Sequence, residues 1–155
     1  KYIMKINSLK PRPEISNKPK LQKVYTQFEK LIDELRIIVL PEKITVFINA
    51  SIDELNLISN EKLRSQTKKK QSKIISLIEK ELKIVPINHY RNTWMAIGMS
   101  AFGVPLGVAL GASLGNMGFI AIGLPIGMAI GLSVGTSMDK KAQEEGRQLN
   151  MEVKF

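Results

Sequence analysis

Side chains able to carry out chemistry are few in this sequence. It contains one histidine, His89, and no cysteine, so it offers no thiolate nucleophile, no disulfide and no thiolate metal site. Neighbouring carboxylates occur in three places on predicted helices: Asp33-Glu34, Asp53-Glu54 and Glu144-Glu145. Because adjacent residues of a helix point to different faces, we interpret these pairs as surface charges. With no metal-ligand pairing and no phosphate-binding loop either, we expect no enzyme activity, no cofactor and no metal.

Positive charge is concentrated in the first part of the chain. Residues 1–93 hold 19 Lys+Arg and 10 Asp+Glu, residues 94–138 hold no charge, and residues 139–155 hold four of each sign. The net charge of +9 therefore lies before the uncharged stretch, where it would attract an anionic partner. The densest cluster is Lys62, Arg64, Lys68, Lys69, Lys70, Lys73, Lys80 and Lys83.

Three interpretations of this basic cluster remain open. It could bind anionic lipid head groups, it could bind nucleic acid, or it could be a solvated helix face. No aromatic residue interleaves with the lysines and no base-reading motif is visible, which disfavours nucleic acid.

The chain before the uncharged stretch reads as a small helical domain. Residues 1–19 contain three prolines and predict an irregular arm, and residues 20–86 show apolar residues at helical spacing in three segments. Pro41 stands at the start of the second helix, and Ser59 or Asn60 can cap the third. The predicted core is Leu21, Val24, Phe28, Leu31, Ile32, Leu35, Val39, Ile44, Phe47 or Ile48, Leu55, Ile58, Leu63, Thr67, Ile74, Ile75, Ile78, Leu82 and Val85. A core of this size is near the lower limit for an independent domain.

The uncharged stretch is long enough for two membrane crossings. It runs from Asn92 to Met138, and a helix crosses a bilayer with about 20 residues. The tetrapeptide 115–118, Gly-Asn-Met-Gly, is typical of a turn because Gly and Asn accept left-handed backbone angles. We predict transmembrane spans at 94–115 and 118–137, followed by a charged tail over 138–155. The fold class is therefore all-α, with a cytoplasmic domain of about three helices before a two-helix hairpin.

The two spans repeat each other. Residues 98–115 align without gaps on residues 118–135, with nine of eighteen positions identical. Since consecutive spans run in opposite directions, this is a small inverted repeat.

Glycines recur mostly every fourth residue along both spans, which places them on one face of each helix. In lipid, close van der Waals packing is what pairs helices, and small residues permit it. Folding at Asn116 predicts that Gly107 meets Gly127 and that Gly98 meets Gly135. The predicted helix-packing residues are Gly98, Gly103, Gly107, Gly111, Gly115, Gly118, Gly123, Gly127, Gly131 and Gly135.

A second stripe of small residues lies two positions away, on roughly the opposite face. Its members are Ala101, Pro105, Ala109, Ser113, Ala121, Pro125, Ala129 and Ser133. A helix with two small faces can pack on two sides, so we expect a homo-oligomer. The prolines predict kinks that free backbone carbonyls. An alternative is therefore an oligomeric pore, with Pro105, Pro125, Ser113, Ser133 and Asn116 facing a water path.

The residues that flank the hairpin predict its orientation. Cations precede the first span and follow the second, and positively charged flanks stay on the cytoplasmic side of a membrane, so both termini should be cytoplasmic. His89 and Tyr90 would lie at the interface. The predicted lipid head-group contacts are Lys68, Lys69, Lys70, Lys73, Arg91, Trp94, Lys140 and Lys141.

Residues 88–149, from NHYRNTWMAIGMSAFG through the GNMG turn to MDKKAQEEGRQL, resemble the small bacterial membrane proteins grouped as glycine-zipper proteins. The preceding KKKQSKIISLIEKELKIVP is similar to what precedes the hairpin in them. The resemblance implies a two-span protein of the bacterial inner membrane and implies no activity. Glycine zippers also occur in channels and membrane toxins, so the motif indicates how helices pack and not what the protein does. We expect a non-enzymatic, self-associating membrane protein or a small subunit of a membrane complex. A toxin-like pore is the alternative.

Overall fold

The chain is predominantly helical in the computed structural model, which describes residues 5–154. Five long helices follow one another: α1 Pro19–Arg36, α2 Glu42–Leu57, α3 Asn60–Leu82, α4 His89–Leu114 and α5 Met117–Glu144. A 3-10 turn, Pro13–Ile15, precedes α1. Two short strands that the sequence did not predict, β1 Val85–Ile87 and β2 Gln148–Glu152, pair as a two-stranded sheet.

The chain divides into two compact units. We call the first, which contains residues 5–84 and 149–154 of the described chain, the helical unit. The second, residues 85–148, is the hairpin unit and contains α4 and α5.

The helical unit has a core filled by large side chains. The predicted periodicity places one buried stripe on each of α1, α2 and α3, and burial of these stripes supplies most of the free energy that holds such helices together. Its fully buried large residues include Phe28, Leu31, Leu35, Ile48, Ile52, Leu55, Leu63, Ile74 and Ile78. The prediction for Val39 was wrong: α1 ends at Arg36, and Val39 lies in the connection to α2 with 79% of its surface exposed.

The predicted irregular arm is tied to α2 by two asparagines. Asn49 accepts from the backbone N–H of Asn7 at 2.7 Å and donates to the carbonyl of Lys5 at 3.0 Å. Asn56, seven residues later in α2, makes the same pair of bonds three residues further along the arm: it accepts from the N–H of Lys10 and donates to the carbonyl of Ser8. The spacings match, since seven helical residues and three extended residues both span about 10 Å.

The arm also contributes to the core and to the end of α2. Its Ile6 and Ile15 are buried. The guanidinium of Arg12 donates to the carbonyls of Leu55 and Ile58 at 3.0 and 2.7 Å, at the C-terminal end of α2, where carbonyls lack the partner one turn further on that a helix interior provides. The segment before α1 is therefore part of the helical unit.

The end of the chain departs from the predicted charged tail. Residues up to Glu144 continue α5, and in β2 buried and exposed residues alternate, as expected for a strand with one face on a core. The core of the helical unit includes Leu149, Met151 and Val153. The period-2 pattern of these three residues was present in the sequence, but the surrounding charges obscured it.

Candidate functional site

The candidate site is the pair of helices α4 and α5. They contain 26 and 28 residues, and both are long and apolar enough to cross a membrane. The predicted spans, 94–115 and 118–137, fall largely inside them. In the most apolar 18-residue stretch of each helix, only 22% of α4 and 17% of α5 is buried. A core helix of a soluble protein is instead mostly buried.

The two helices meet backbone to backbone along their glycine faces. A Cβ atom added at Gly107 would lie 2.6 Å from the Cα of Ile120, and one at Gly123 would lie 2.7 Å from the Cα of Gly107. Real Cβ atoms essentially never approach another atom closer than 3.0 Å, so no larger residue fits unless the helices separate. The same holds at Gly98, Gly127, Gly131 and Gly135, while Gly103 and Gly111 lie slightly less close to their neighbours.

The register of these contacts differs from the prediction, which paired Gly107 with Gly127 and Gly98 with Gly135. The observed neighbours are Gly127 and Gly131 for Gly98, Gly123 and Gly127 for Gly103, and Ile120 and Gly123 for Gly107. The reason is that α5 begins with a 3-10 turn, Met117–Phe119, which packs under Gly111. Each of these α4 glycines therefore contacts α5 at a point one to two turns closer to the start of α5 than predicted.

Two predicted packing glycines serve the turn instead. Gly115 has φ +69 and no neighbour within 4 Å of an added Cβ, so it ends α4 in a left-handed conformation, which glycine adopts at the least cost. At Gly118 an added Cβ would meet only the side chain of Asn116. The N–H of Gly118 donates to Asn116 Oδ1 at 2.8 Å. Assigning these two glycines to helix packing was wrong.

All members of the second small stripe are exposed. The hairpin uses one small face of each helix and leaves the other uncovered. The two prolines on this stripe differ in their effect. The segment just before Pro105, Met99–Gly103, is π-helical, which is a local response to a residue without a backbone N–H. In contrast, Pro125 lies within regular α-helix.

A buried carboxylate in the charged tail predicted after the second span closes the open end of the hairpin. Asp139 is 7% exposed and accepts from the backbone N–H groups of Tyr90 and Arg91 at 3.0 and 2.8 Å. These N–H groups belong to the first turn of α4, where a helix has no partners of its own. A signal was present, since Asp139 follows Gly131 and Gly135 at the same spacing of four.

The predicted lipid head-group residues are distributed between the two units. In the helical unit Lys70 forms an ion pair with Glu54, Lys68 is half-buried, and Lys69 and Lys73 are exposed. The hydrogen bond from Lys70 holds the pKa of Glu54 below its ordinary value. In the hairpin unit Arg91 is exposed and Trp94 half-buried, while Lys140 and Lys141 lie 3.9 and 4.0 Å from carboxylates one turn away.

His89 stacks edge to face on the ring of Tyr90, with ring centroids 5.3 Å apart. Within residues 5–154, no group of three or more His, Asp and Glu side chains could hold a metal ion. The chain matches no protein-family model, and comparison with curated proteins and with solved structures finds no match.

Proposed function

We propose that this protein is a non-enzymatic integral membrane protein that crosses a bilayer twice through α4 and α5. The observation that carries this proposal is the outward placement of large apolar side chains. Twelve of them are between 37% and 60% exposed: Ile97, Phe102, Val104, Leu106, Val108, Leu110, Leu114, Met117, Ile122, Ile126, Ile130 and Val134. In water so large a patch would favour aggregation, whereas in hydrocarbon it costs nothing.

The lengths of the helices support the same proposal. Helices of 26 and 28 residues measure about 40 Å at 1.5 Å per residue, and the hydrocarbon core is about 30 Å thick. Their polar ends, with Arg91, Lys140 and Lys141, can therefore lie at one membrane surface. By the rule that positive flanks stay inside, this surface and both termini are cytoplasmic. The resemblance of residues 88–149 to bacterial glycine-zipper proteins supports the bacterial inner membrane as the location that we propose.

We also propose that the hairpin associates with further copies, or with a larger complex, through the second small stripe. The first glycine face is used between α4 and α5, so a second close packing surface on the same helices has no intramolecular use. In lipid, small residues on an uncovered face favour another helix.

Single-cysteine labelling tests the membrane proposal, and the absence of cysteine from the sequence gives a clean background. Cysteine is introduced by Ser65→Cys, Asn116→Cys and Gln143→Cys at exposed positions in sealed inside-out vesicles. An impermeant maleimide should label the first and last variants at once and Asn116→Cys only after the membrane is opened. Equal labelling of all three variants in sealed vesicles would contradict the proposal, and so would extraction of the protein from the vesicles by alkaline carbonate.

A pore is a second candidate, favoured by the exposure of Pro105, Pro125, Ser113 and Ser133 on the second stripe. If copies meet along this stripe, these residues face the axis, where the backbone freed near Pro105 can be hydrated. Ion flux through liposomes that contain the purified protein tests this candidate. A flux that Ala129→Leu abolishes supports a pore, and no flux from the natural sequence excludes it under those conditions.

A further inference from the structure

The helical unit carries an apolar groove of about 650 Å³ between α2 and α3. Val46, Phe47 and Ala50 line it from α2, and Ser76 and Leu77 line it from α3. On α2, Phe47 and Val46 lie three and four residues before Ala50, and on α3, Ser76 and Leu77 lie three and four residues after Lys73. These spacings make the lining residues neighbours on one side of each helix. The groove is open to solvent, since Val46 is 47% exposed.

The shape of this groove suits a helix. Its small members, Ala50 and Ser76, leave a depression between two helices, and the ridge of a third helix packs into such a depression. From Lys43 to Ala50 the α2 side is about 10 Å long at 1.5 Å per residue, which is two helical turns of an occupant.

The charge of the groove indicates what kind of helix it takes. Three exposed lysines line it, Lys43, Lys73 and Lys80. In the described chain none of the three forms an ion pair, in contrast to the neighbouring Lys70, which pairs with Glu54. The complementary surface is an apolar ridge with Asp or Glu beside it.

We propose that the groove between α2 and α3 binds an amphipathic helix of a partner protein, with an apolar face of two to three turns flanked by acidic residues. A lipid acyl chain fits less well, because moving it from a bilayer into a groove open to solvent returns part of it to water. The helical unit of a second copy fits less well, because residues 1–93 hold 19 Lys+Arg against 10 Asp+Glu and would bring further positive charge to the lysines of the groove. The inference concerns the helical unit alone and is independent of the proposed membrane hairpin.

The test uses the purified full chain in nanodiscs of zwitterionic lipid. The probe is a fluorescent helical peptide of about four turns, with leucines at positions i, i+3, i+4 and i+7 and glutamates beside them. A second peptide carries lysines in place of the glutamates, and empty nanodiscs correct for binding to lipid. Fluorescence anisotropy should show binding of the acidic peptide on the order of micromolar and at least tenfold weaker binding of the basic one.

Two matched charge variants test whether the groove is the site. Lys43→Glu combined with Lys80→Glu should weaken binding about tenfold. Lys23→Glu combined with Lys30→Glu makes the same change of net charge on exposed positions of α1 and should change it less than twofold. Ala50→Leu, at an exposed position that should not disturb folding, should fill the groove and weaken binding too. Circular dichroism melting checks that each variant is folded.

Several results would overturn the proposal: no binding of the acidic peptide, equal binding of the basic peptide, or equal losses in the two double variants. Dependence of anionic-vesicle binding on Lys43 and Lys80, with no effect of these lysines on peptide binding, would assign the groove to lipid instead. Because none of these readouts measures membrane insertion, failure here leaves the labelling result of the hairpin unaffected.

Discussion

The two units of this protein place their large side chains in opposite ways. In the helical unit Phe28 and Ile48 are completely buried where α1, α2 and α3 pack together. In the hairpin unit glycines such as Gly123 and Gly127 occupy the contact between the helices, and Ile122 is half exposed. The helical unit is stabilised by side chains that fill its interior, and the hairpin unit by direct contact between the backbones of its two helices.

The proposed membrane location of the hairpin unit accounts for this difference. In water, burying apolar area is the main favourable contribution to folding, so the helical unit is sensitive to the loss of a core side chain. In hydrocarbon that contribution is absent, and close backbone packing replaces it. The hairpin unit should therefore be sensitive to the gain of a side chain at its glycines, and single substitutions in each unit can test this difference.

Gly127→Leu should have the largest effect. An added Cβ at this position would lie 2.6 Å from the Cα of Gly103, so the helices must separate, at a cost of about 3 kcal/mol to the hairpin. The measurement is the distance between fluorescent labels on Thr93→Cys and Ser137→Cys in nanodiscs. We expect the distance to rise by several ångströms, with no change in the urea midpoint of the helical unit.

Ala129→Leu is the matched control, two residues away on the exposed stripe. It should leave the label distance unchanged and shift chemical crosslinking from oligomer to monomer. If Gly127→Leu left the distance unchanged, the contrast between the two units would fail. If Ala129→Leu left crosslinking unchanged, self-association through the second stripe would be wrong while the hairpin could stand.

Asp139→Asn should have a smaller effect at the polar end of the hairpin. The variant removes the charge but keeps an acceptor, so one of the bonds to Tyr90 and Arg91 should weaken, at a cost of about 1 kcal/mol. Hydrogen exchange at those two amides should become about fivefold faster. Glu144→Gln removes a charge from an exposed residue of the same helix and should leave exchange unchanged. Equal exchange in Asp139→Asn and the natural sequence would show that this cap does not hold the end of α4.

The sequence predicted best what depends on periodicity alone. The stripes of α1, α2 and α3 and the glycine faces of α4 and α5 follow from side-chain spacing along a helix. The register of the hairpin could not be obtained this way, because it depends on whether residues 117–119 belong to a turn or to the second helix. One 3-10 turn shifts the contacts made by every glycine of α4.

The sequence also failed where polar side chains determine the structure. The spacing of Asn49 and Asn56 along α2 predicts no partner for them, and only the paired bonds to residues 5–10 show that they hold the arm. Arg12 caps a helix that begins thirty residues later. Such long-range contacts leave no local pattern, since any extended segment can provide the same backbone groups.

Glu54→Gln should have the smallest effect on stability. That effect should depend on pH and should be confined to the helical unit. Glu54 of α2 pairs with Lys70 of α3, and this hydrogen bond lowers the pKa of Glu54. A carboxyl group whose folded pKa is lowered stabilises the fold above its ordinary pKa, and that stabilisation is lost as the pH falls through the folded value. The urea midpoint of the helical unit should therefore be slightly lower in Glu54→Gln than in the natural sequence at neutral pH, and this difference should disappear as acid protonates Glu54.

Because Glu54 is exposed, the difference should also shrink when salt is added. Glu81→Gln, which removes a charge from another exposed residue of the helical unit, is the matched control for the change of net charge. A difference that persisted unchanged in acid would mean that Glu54 acts through packing and not through its charge. The label distance across the hairpin should be independent of this variant at every pH, since the contact between α4 and α5 depends on backbone proximity and not on that ion pair.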